Sequence, residues 1–546
     1  MTTTASDRAG DPTPGRPTSG QSTSGQSTSG GRTVDNRAHG SPDESADGTP
    51  DRGIVAGRDS DGRPLPHLRE RLCPPMPDDA FWGWVGPLLI CVFAAILRFA
   101  NLGRPAKVVF DETYYAKDAF SLLKFGVEHQ FVDKANERIL AGDLDVFAGT
   151  SFVVHPPAGK WMIAVGEWAF GMTPFGWRVS IAVLGTLSIL VLARVVRRLT
   201  RSTLMGCLAA FLFALDGLHL VESRIALLDL PAMVWLLLAF GALLIDRDWA
   251  RRRFADAAEP LGRVLPGSWG PALLWRPWRL VAGVCFGVAA ATKWNAAIPL
   301  AAFGLLSWTW DIGARRAISA SLAGIANAGR IVADAAVAFV TVAGSAVVVY
   351  TASWAGWLAS SDGYDRTWAD NNPARGLGAL VPNALRSLWH YHAEIKYFHT
   401  HLTEKHGYAS SPWGWLVIGR PVSFDWADNV GNSCGSQKCV QEILAIGTPV
   451  LWWAAVFALV ACLVWWVAGR DWRFGIPIVG VAATWLPWFL YTNRPIFYFY
   501  AIIILPWMII AVTLVLGKIL GPRDAPPSRR MWGAALVGGF TLLVLL

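Results

Sequence analysis

The chain has 546 residues, of which 53% are hydrophobic and only 16% are charged. Soluble domains carry roughly 25% charged residues, so this composition argues against a soluble protein. The first 79 residues hold a net charge of −3 and the remaining 467 a net charge of +11. Excess positive charge within the apolar part is typical of a membrane protein with basic cytoplasmic loops, and it disfavours a nucleic-acid-binding protein.

Residues 1–79 have the composition of a disordered segment. They include the near-repeat TSGQSTSGQSTSG at 18–30 and lack the apolar core of a cleaved signal peptide. We therefore predict a disordered tail at 1–79 and a single membrane-embedded domain at 80–546.

Apolar runs long enough to approach the roughly 20 residues of a membrane-spanning helix recur along that domain. The fifth and sixth runs are nearly continuous around Lys293, so one long kinked helix is the alternative there. The eleven runs lie near 83–102, 176–196, 203–220, 227–245, 278–294, 295–311, 333–355, 446–468, 474–491, 496–516 and 531–546.

Basic loops predict the orientation of these runs. Lys and Arg gather in RVVRRLTR (194–201), DRDWARRRF (246–254) and KILGPRDAPPSRR (518–530), which we place in the cytoplasm with the amino terminus. This leaves two large loops, about 103–175 and 356–445, on the external face of a plasma membrane. In that oxidising compartment we expect a local disulfide between Cys434 and Cys439.

The first external loop carries two groups of candidate residues. Asp111 and Glu112 suit the first turn of a helix, but a carboxylate at the outer surface is also placed to act as a general base. His155 and Lys160 surround a Pro-Pro pair that can start a helix. Arg178 follows, where a cation either snorkels to the surface or binds an anionic head group.

Ionisable residues also interrupt the apolar run between the third and fourth spans. Glu222, Arg224 and Asp229 lie there, and such groups at membrane depth are by default functional or paired. Glu222 and Arg224 form an ion pair in the simpler interpretation. In the other, Arg224 joins Arg178 and Lys293 in a set of cations for a phosphate-bearing lipid.

Five histidines fall between 390 and 406, interleaved with aromatic residues. The paired H-x-H spacing suggests a metal, yet residues two apart on a helix do not share a face. An interfacial helix with an aromatic side in the bilayer explains the pattern better, and we assign no metal and no cofactor. His406, Tyr408 and the stretch that follows them could line a site for sugar or peptide.

In chain order these motifs resemble the protein O-mannosyltransferase family in its shorter bacterial form. They are FDE at 110–112, HPPAGK at 155–160, WR at 177–178, ESRIALLD at 222–229, TKWNA at 292–296, HLTEKHGYASSPWGW at 401–415 and YTNRPIFYFY at 491–500.

The resemblance implies an all-α polytopic membrane enzyme of the GT-C type, an inverting glycosyltransferase. Its donor would be polyprenyl-phosphate mannose, and its acceptor a Ser or Thr of a secreted polypeptide, with the secretion translocon as a candidate partner. Asp111 would be the general base and Glu112 would assist it. Arg178, Arg224 and Lys293 would bind the donor phosphate, while His155, Lys160, Glu222, Asp229, His406 and Tyr408 would shape the site.

Two alternatives remain open at this point. A transferase of the same fold could move a polyprenyl-phosphate-linked sugar to a lipid or a cell-wall glycan. A secondary transporter would also place charges among apolar helices, although it should show a midplane site between repeated halves.

Overall fold

The structure, a computed structural model, describes residues 68–258, 270–318 and 325–546 apart from positions 429, 432, 433, 437 and 523. Helices dominate it. They are α1 (Leu68–Leu72), α2 (Trp82–Phe99), α3 (Glu112–Phe125), α4 (Ala135–Leu140), α5 (Ala158–Phe170), α6 (Pro174–Thr200), α7 (Thr203–Leu215), α8 (Gly217–Glu222), α9 (Asp229–Ala258), α10 (Pro277–Ala290), α11 (Ala297–Ile318), α12 (Ile325–Ala338), α13 (Ser345–Ser353), α14 (Ala355–Ala359), α15 (Trp368–Asn371), α16 (Asn383–His401), α17 (Pro449–Val467), α18 (Trp472–Trp485), α19 (Leu505–Leu520) and α20 (Pro527–Leu545).

Strands are few and form two small antiparallel sheets. The first pairs β1 (His129–Phe131) with β2 (Phe147–Thr150), and the second pairs β3 (Val422–Ala427) with β4 (Gln441–Ala445). Cys434 and Cys439, between β3 and β4, are joined by a disulfide, as the sequence predicts.

Each apolar run predicted to span the membrane coincides with helix in the structure, and the prediction of a mostly helical polytopic membrane protein is confirmed. Among the described residues, six helical segments are long and apolar enough to cross a membrane, while α7, α10 and α19 are shorter apolar helices. The six are Trp82–Phe99, Pro174–Thr200, Asp229–Ala258, Gly329–Ser353, Pro449–Val467 and Trp472–Tyr491. The total of eleven membrane spans remains a prediction from the sequence.

Local sequence sets where the long helices begin. The hydroxyl of Thr173 accepts a hydrogen bond from the backbone N–H of Gly176 at 3.1 Å, and Pro174 occupies the first turn of α6. Ser202 caps α7 in the same way. Hydroxyl caps and an early proline satisfy or remove backbone donors that a helix start leaves unpaired.

The chain reverses direction at Lys293 and does not continue as one kinked helix. Arg276, just before α10, donates to Asp311 near the end of α11 at 3.0 Å. The distant ends of the two helices therefore lie side by side, which makes them an antiparallel pair. Arg276 and Arg279 also pair with Asp246 of α9, so the charges at this end of the bundle are buried but matched.

The two polar segments meet at the opposite end of the bundle. The hydroxyl of Tyr391 accepts a hydrogen bond from the Val153 N–H at 3.0 Å, and Lys107 pairs with Asp425 at 2.7 Å. The turn that holds Lys293 lies here as well, because the N–H of Ala158 bonds to the Ala291 carbonyl. We call the assembly of residues 103–175, 356–445 and this turn the polar end.

Of the tail predicted to be disordered, residues 1–79, the first 67 lie outside the described residues. Residues 68–79 lie within the described residues and begin with α1. Leu72 of α1 is buried in a cluster with Phe254 of α9, and Asp79 pairs with Arg197 at 2.7 Å. The apolar contact of Leu72 and the ion pairs of Arg69 with Asp256 and of Asp79 with Arg197 join this part of the tail to the bundle.

Candidate active site

A strained turn presents Asp111 at the start of α3. Phe110, the residue before it, has a φ of 50°, a left-handed conformation that a bulky side chain rarely adopts. Its ring is held by Phe424 at 4.7 Å and by Phe499 at 5.5 Å between centroids. Surrounding packing thus maintains a conformation that is unfavourable by itself, which is frequent beside reactive residues.

The carboxylate of Asp111 is left without hydrogen bonds in the part of the chain that the structure describes. It occupies the position just before α3, yet its side chain makes no hydrogen bond to the start of that helix. Its side chain is only partly exposed, and this burial raises its pKa to about 6. The positive charge of Lys293 opposes the rise, and the negative charge of Asp229 adds to it. Asp111 therefore combines a free carboxylate with a pKa suited to proton transfer near neutral pH.

Glu112, by contrast, is fully engaged. Its oxygens accept from Arg178 at 2.7 Å and 2.8 Å, from the Val109 N–H at 2.9 Å and from the Ala226 N–H at 3.1 Å. Both Glu112 and Arg178 are buried. This bidentate pair ties the start of α3 to α6 and to the turn before α9, so it fixes the position of the neighbouring Asp111.

Arg178 has no donor left for a phosphate. Besides Glu112, its guanidinium donates to the carbonyls of Leu102 at 3.3 Å, Pro105 at 3.0 Å and Lys107 at 2.9 Å. The side chain is 1% exposed, and all three of its nitrogens are bonded within the protein. The geometry favours a positioning role in place of the predicted phosphate contact.

Arg224 lies at another place and bonds to other partners. It donates to the carbonyls of Leu97, Arg98 and Ala100, where α2 ends and leaves its last carbonyls unpaired. Glu222 is buried and neither of its oxygens has a hydrogen-bond partner, so the suggested pair between Glu222 and Arg224 is not formed.

Lys293 pairs with Asp229 beside Asp111. Its ammonium lies 2.8 Å and 2.7 Å from the two carboxylate oxygens and 4.7 Å from the centre of the Tyr500 ring. Lys293 sits in the turn between α10 and α11, and Asp229 begins α9. Three separate helix ends therefore meet at one buried ion pair.

A cavity of about 160 Å³ opens on the other side of Lys293. Arg494 lies in its wall and donates to His399 Nδ1 at 2.6 Å, while the Nε of Arg494 is buried without a hydrogen-bond partner. The lining residues are His155, Lys293, Trp294, Asn295, Ile298, His399, Pro487, Trp488, Tyr491, Arg494 and Tyr500. Two cations and an unsatisfied donor in an aromatic cavity suit a phosphate on an apolar carrier.

The histidines of this cavity are neutral at physiological pH. Burial and the charge of Arg494 lower the pKa of His399 to about 4, and burial lowers the pKa of His155 well below its usual value. Their rings lie 5.5 Å apart. They can donate or accept hydrogen bonds here, but they do not add positive charge.

A larger cavity of about 660 Å³ lies beyond the Glu112–Arg178 pair. Its wall includes Arg178, Arg224, Val109 and, from β3 and β4, Asp425 and Glu442. Val109 precedes Asp111 by two residues, and Asp111 interacts with Lys293 of the smaller cavity. Asp111 is therefore close in the chain to the wall of the larger cavity and interacts electrostatically with the smaller one.

Comparisons with known proteins decide the family. The pattern of the dolichyl-phosphate-mannose-protein mannosyltransferase family matches residues 88–325, and that of the C-terminal four-transmembrane region of protein-O-mannosyltransferases matches residues 384–516. The chain belongs to this family. It is therefore a glycosyltransferase, and the transporter alternative is set aside.

Individual relatives agree with this family membership. The polyprenol-phosphate-mannose–protein mannosyltransferase of Mycolicibacterium smegmatis strain MKD8 is 36% identical over 496 residues, covering 89% of this chain and 92% of the relative. That of Mycobacterium tuberculosis strain H37Rv is 36% identical over 479 residues, covering 86% and 87%.

The fold is likewise shared with a solved member of the family. The Saccharomyces cerevisiae protein O-mannosyltransferase Pmt1–Pmt2 complex bound to the sugar donor superposes with a TM-score of 0.62 at 14% identity, covering 90% of this chain and 91% of that chain. The GT-C type of fold predicted from the sequence is confirmed.

In this mannosyltransferase three residues predicted to shape the site, Lys160, His406 and Tyr408, do not line the smaller cavity. Lys160 pairs with Glu128 at 2.5 Å and Asp118 at 3.5 Å, and it is buried beneath α3. His406 and Tyr408 are exposed, and the ring of His406 packs on Phe497.

The sequence pattern alone does not single out Arg494, His399 or Tyr500. The polar turn YTNRPIFYFY contributed to the family resemblance as a whole, yet a lone Arg near a span end is ordinarily an interfacial anchor. His399 was one of five clustered histidines. Only the packing of α16 against the turn before Tyr500 brings these side chains to Lys293.

Proposed function

We propose that this chain transfers mannose from polyprenyl-phosphate mannose to the hydroxyl of Ser or Thr in polypeptides, with inversion at the anomeric carbon. One observation supports this most: the free carboxylate of Asp111 stands beside the cation-lined cavity that holds Lys293 and Arg494. The names of the curated relatives supply the donor and the protein acceptor.

Asp111 is the general base of the proposed reaction. The acceptor hydroxyl loses its proton to the Asp111 carboxylate as its oxygen attacks the anomeric carbon. The bond from that carbon to the phosphate oxygen breaks on the opposite face, and polyprenyl phosphate leaves with the electron pair. A β-linked mannosyl phosphate would then give an α-mannoside.

Arg494 and Lys293 stabilise the phosphate that departs. Arg494 lines the cavity and keeps a buried Nε without a hydrogen-bond partner, and Lys293 adds positive charge that is partly balanced by Asp229. Cations aimed at developing negative charge in a site sheltered from water are among the strongest sources of catalysis. We replace Arg178 with Arg494 as the principal phosphate ligand, since the donors of Arg178 are all occupied.

Glu112 and Arg178 position the base. Their paired side chains bond to the backbone of residues 102–109, which leads into Asp111, and neither has free capacity for substrate. Arg224 stabilises the end of α2, and the larger cavity that Arg178 and Arg224 border is our candidate for the approach of the acceptor polypeptide.

We further propose that the polar end faces the outside of a plasma membrane and the amino terminus the cytoplasm. The support is the distribution of Lys and Arg, which favours the short loops opposite the polar end. A polypeptide emerging from the secretion translocon would then reach Asp111, and the translocon stays a candidate partner.

A transfer assay with matched peptides tests the proposed function. Purified protein is incubated with radiolabelled polyprenyl-phosphate mannose and a Thr-rich peptide, or with the same peptide carrying Val at every Thr. We expect label on the Thr peptide alone, removable by α-mannosidase.

Label that appears on lipid or glycan acceptors but never on the Thr peptide would contradict the protein acceptor and favour the same-fold alternative. A β-linked product would contradict inversion of a β-linked donor.

A further inference from the structure

We propose that Asp365, His390 and Glu394 bind a divalent transition-metal ion, with zinc as the best fit. This site lies on the outer side of α16 and is independent of the proposed transfer reaction. The three side chains offer one nitrogen and two carboxylate oxygens, and these ligand atoms all lie within 4.8 Å of one another.

The distances suit a tetrahedral ion. His390 Nε2 lies 3.3 Å from Asp365 Oδ2 and 3.5 Å from Glu394 Oε1. Zinc binds imidazole nitrogen and carboxylate oxygen at about 2.0–2.2 Å, which places two ligands of a tetrahedron roughly 3.3–3.5 Å apart. The two distances from His390 therefore already match a tetrahedral ion, while the two carboxylates lie within 4.8 Å of each other.

The ligands are also oriented in advance. His390 and Glu394 are one helical turn apart and share a face of α16. The indole of Trp368 stacks flat on the His390 ring, at 4.1 Å and 8°, and Asp365 has a φ of 50°. Glu394 Oε2 is buried without a hydrogen-bond partner, so one oxygen of the cluster still lacks a positive neighbour.

The cluster stays open to solvent on one side. The side chains of His390, Asp365 and Glu394 are 25%, 37% and 34% exposed. A water molecule can then fill the fourth position, as is usual where protein supplies three zinc ligands. Imidazole among the ligands favours zinc and its neighbours over magnesium or calcium.

A bound ion would fasten the loop before α15 to α16. Other contacts of that loop include the bond from Trp357 to the Tyr364 carbonyl and the packing of the Tyr364 ring on Tyr391 of α16. The same helix carries His399 into the cavity of Arg494. The metal would therefore stabilise the wall of the active site from its outer side and take no part in the chemistry.

The alternative is a protonated His390 that bridges two carboxylates with no metal. A metal titration separates the two. Full-length protein in detergent is stripped with a chelator and titrated with zinc, and bound metal per chain and Tm are measured for wild type, His390→Ala, Glu394→Gln and His401→Ala. His401 is an exposed histidine of the same helix outside the cluster, so it serves as the matched control.

We expect wild type and His401→Ala to bind one zinc per chain and to gain Tm on binding. His390→Ala should weaken that affinity by on the order of 100-fold, and Glu394→Gln, which keeps the shape of the side chain, should weaken it as well. If the wild type shows no saturable zinc binding, or if His390→Ala and Glu394→Gln bind as the wild type does, the proposal is overturned.

Discussion

At the scale of single residues, Asp111 and Glu112 show how neighbouring carboxylates acquire different tasks. Glu112 accepts four hydrogen bonds and pairs with Arg178, whereas Asp111 accepts none from the described residues. A carboxylate that is already bonded on every side cannot take a proton from a substrate without breaking those bonds. The free partner is the better base.

The pKa of Asp111 predicts the pH dependence of the reaction. Burial raises the pKa to about 6, so the carboxylate is charged above that pH and becomes protonated below it. Only the charged form accepts a proton, and kcat/KM should fall by about tenfold per pH unit below pH 6. His155 and His399 stay neutral in this range, since the pKa of each is lowered.

Transfer rates measured between pH 5 and pH 8 check this prediction. The Tm must be followed over the same range, because burial raises the pKa of Asp118 beside Lys160 to about 6 as well. A flat profile for a protein that remains folded at pH 5 would show that the base has another identity.

Arg494 and Arg178 should respond differently to the same substitution. Arg494→Ala removes a cation from the cavity, so we expect donor affinity and kcat to fall by about tenfold or more while Tm changes little. Arg178→Ala leaves Glu112 as a buried unpaired charge, which should destabilise the protein by about 3–5 kcal/mol.

Donor binding and thermal unfolding are measured for both variants, with Arg375→Ala as the control for loss of an exposed cation from the polar end. Unchanged donor affinity in Arg494→Ala, together with a stable Arg178→Ala that has lost it, would restore Arg178 as the phosphate ligand.

At the scale of elements, neighbouring helices approach each other most closely at glycines, which have no side chain to separate them. A Cβ added to Gly283 of α10 would lie 1.9 Å from Ser345 Oγ and 2.6 Å from the Thr341 carbonyl. α10 therefore packs almost backbone to backbone on the segment that leads into α13. Small residues that allow such contacts are common between membrane helices.

Gly283→Ala should accordingly destabilise the fold by about 1–3 kcal/mol, because backbone atoms must move to admit the methyl group. Gly313→Ala is the matched control, since Gly313 of α11 has no atom within 4 Å of the added Cβ and alanine favours helix. Thermal unfolding in detergent compares the two. A Tm for Gly283→Ala equal to that of wild type would contradict the close approach.

The positions of the helices were largely predictable from the sequence, whereas the helices against which they pack were not. Apolar runs indicate the positions of the helices, because a membrane-spanning helix needs a continuous apolar stretch of about 20 residues. The antiparallel reversal at Lys293 was undecided, since two short spans and one kinked helix have the same composition. Composition likewise does not reveal the contacts of residues 68–79, where Leu72 packs in a cluster with Phe254 of α9.

At the scale of the whole molecule, the charges that the sequence scatters over more than 380 positions converge at one end. Asp111, Asp229, Lys293 and Arg494 come from four separate parts of the chain. The sequence identified Asp111, Asp229 and Lys293 as candidates by their type and position. It does not reveal that the donors of Arg178 are bonded to Glu112 and nearby carbonyls, or that Arg224 donates to the carbonyls at the end of α2. Hydrogen-bond partners of this kind depend on tertiary packing.

The proposed reaction depends on the Asp111 carboxylate at the polar end. Its most direct test is the rate of mannose transfer to a Thr-rich peptide by Asp111→Asn, measured together with donor affinity. Asp145→Asn, which changes an exposed carboxylate in the same polar segment, is the control.

We predict that Asp111→Asn lowers the transfer rate by about 10²–10⁴-fold with donor affinity retained, because only the proton acceptor is lost. Asp145→Asn should match the wild type. Transfer by Asp111→Asn at the wild-type rate would contradict the central claim.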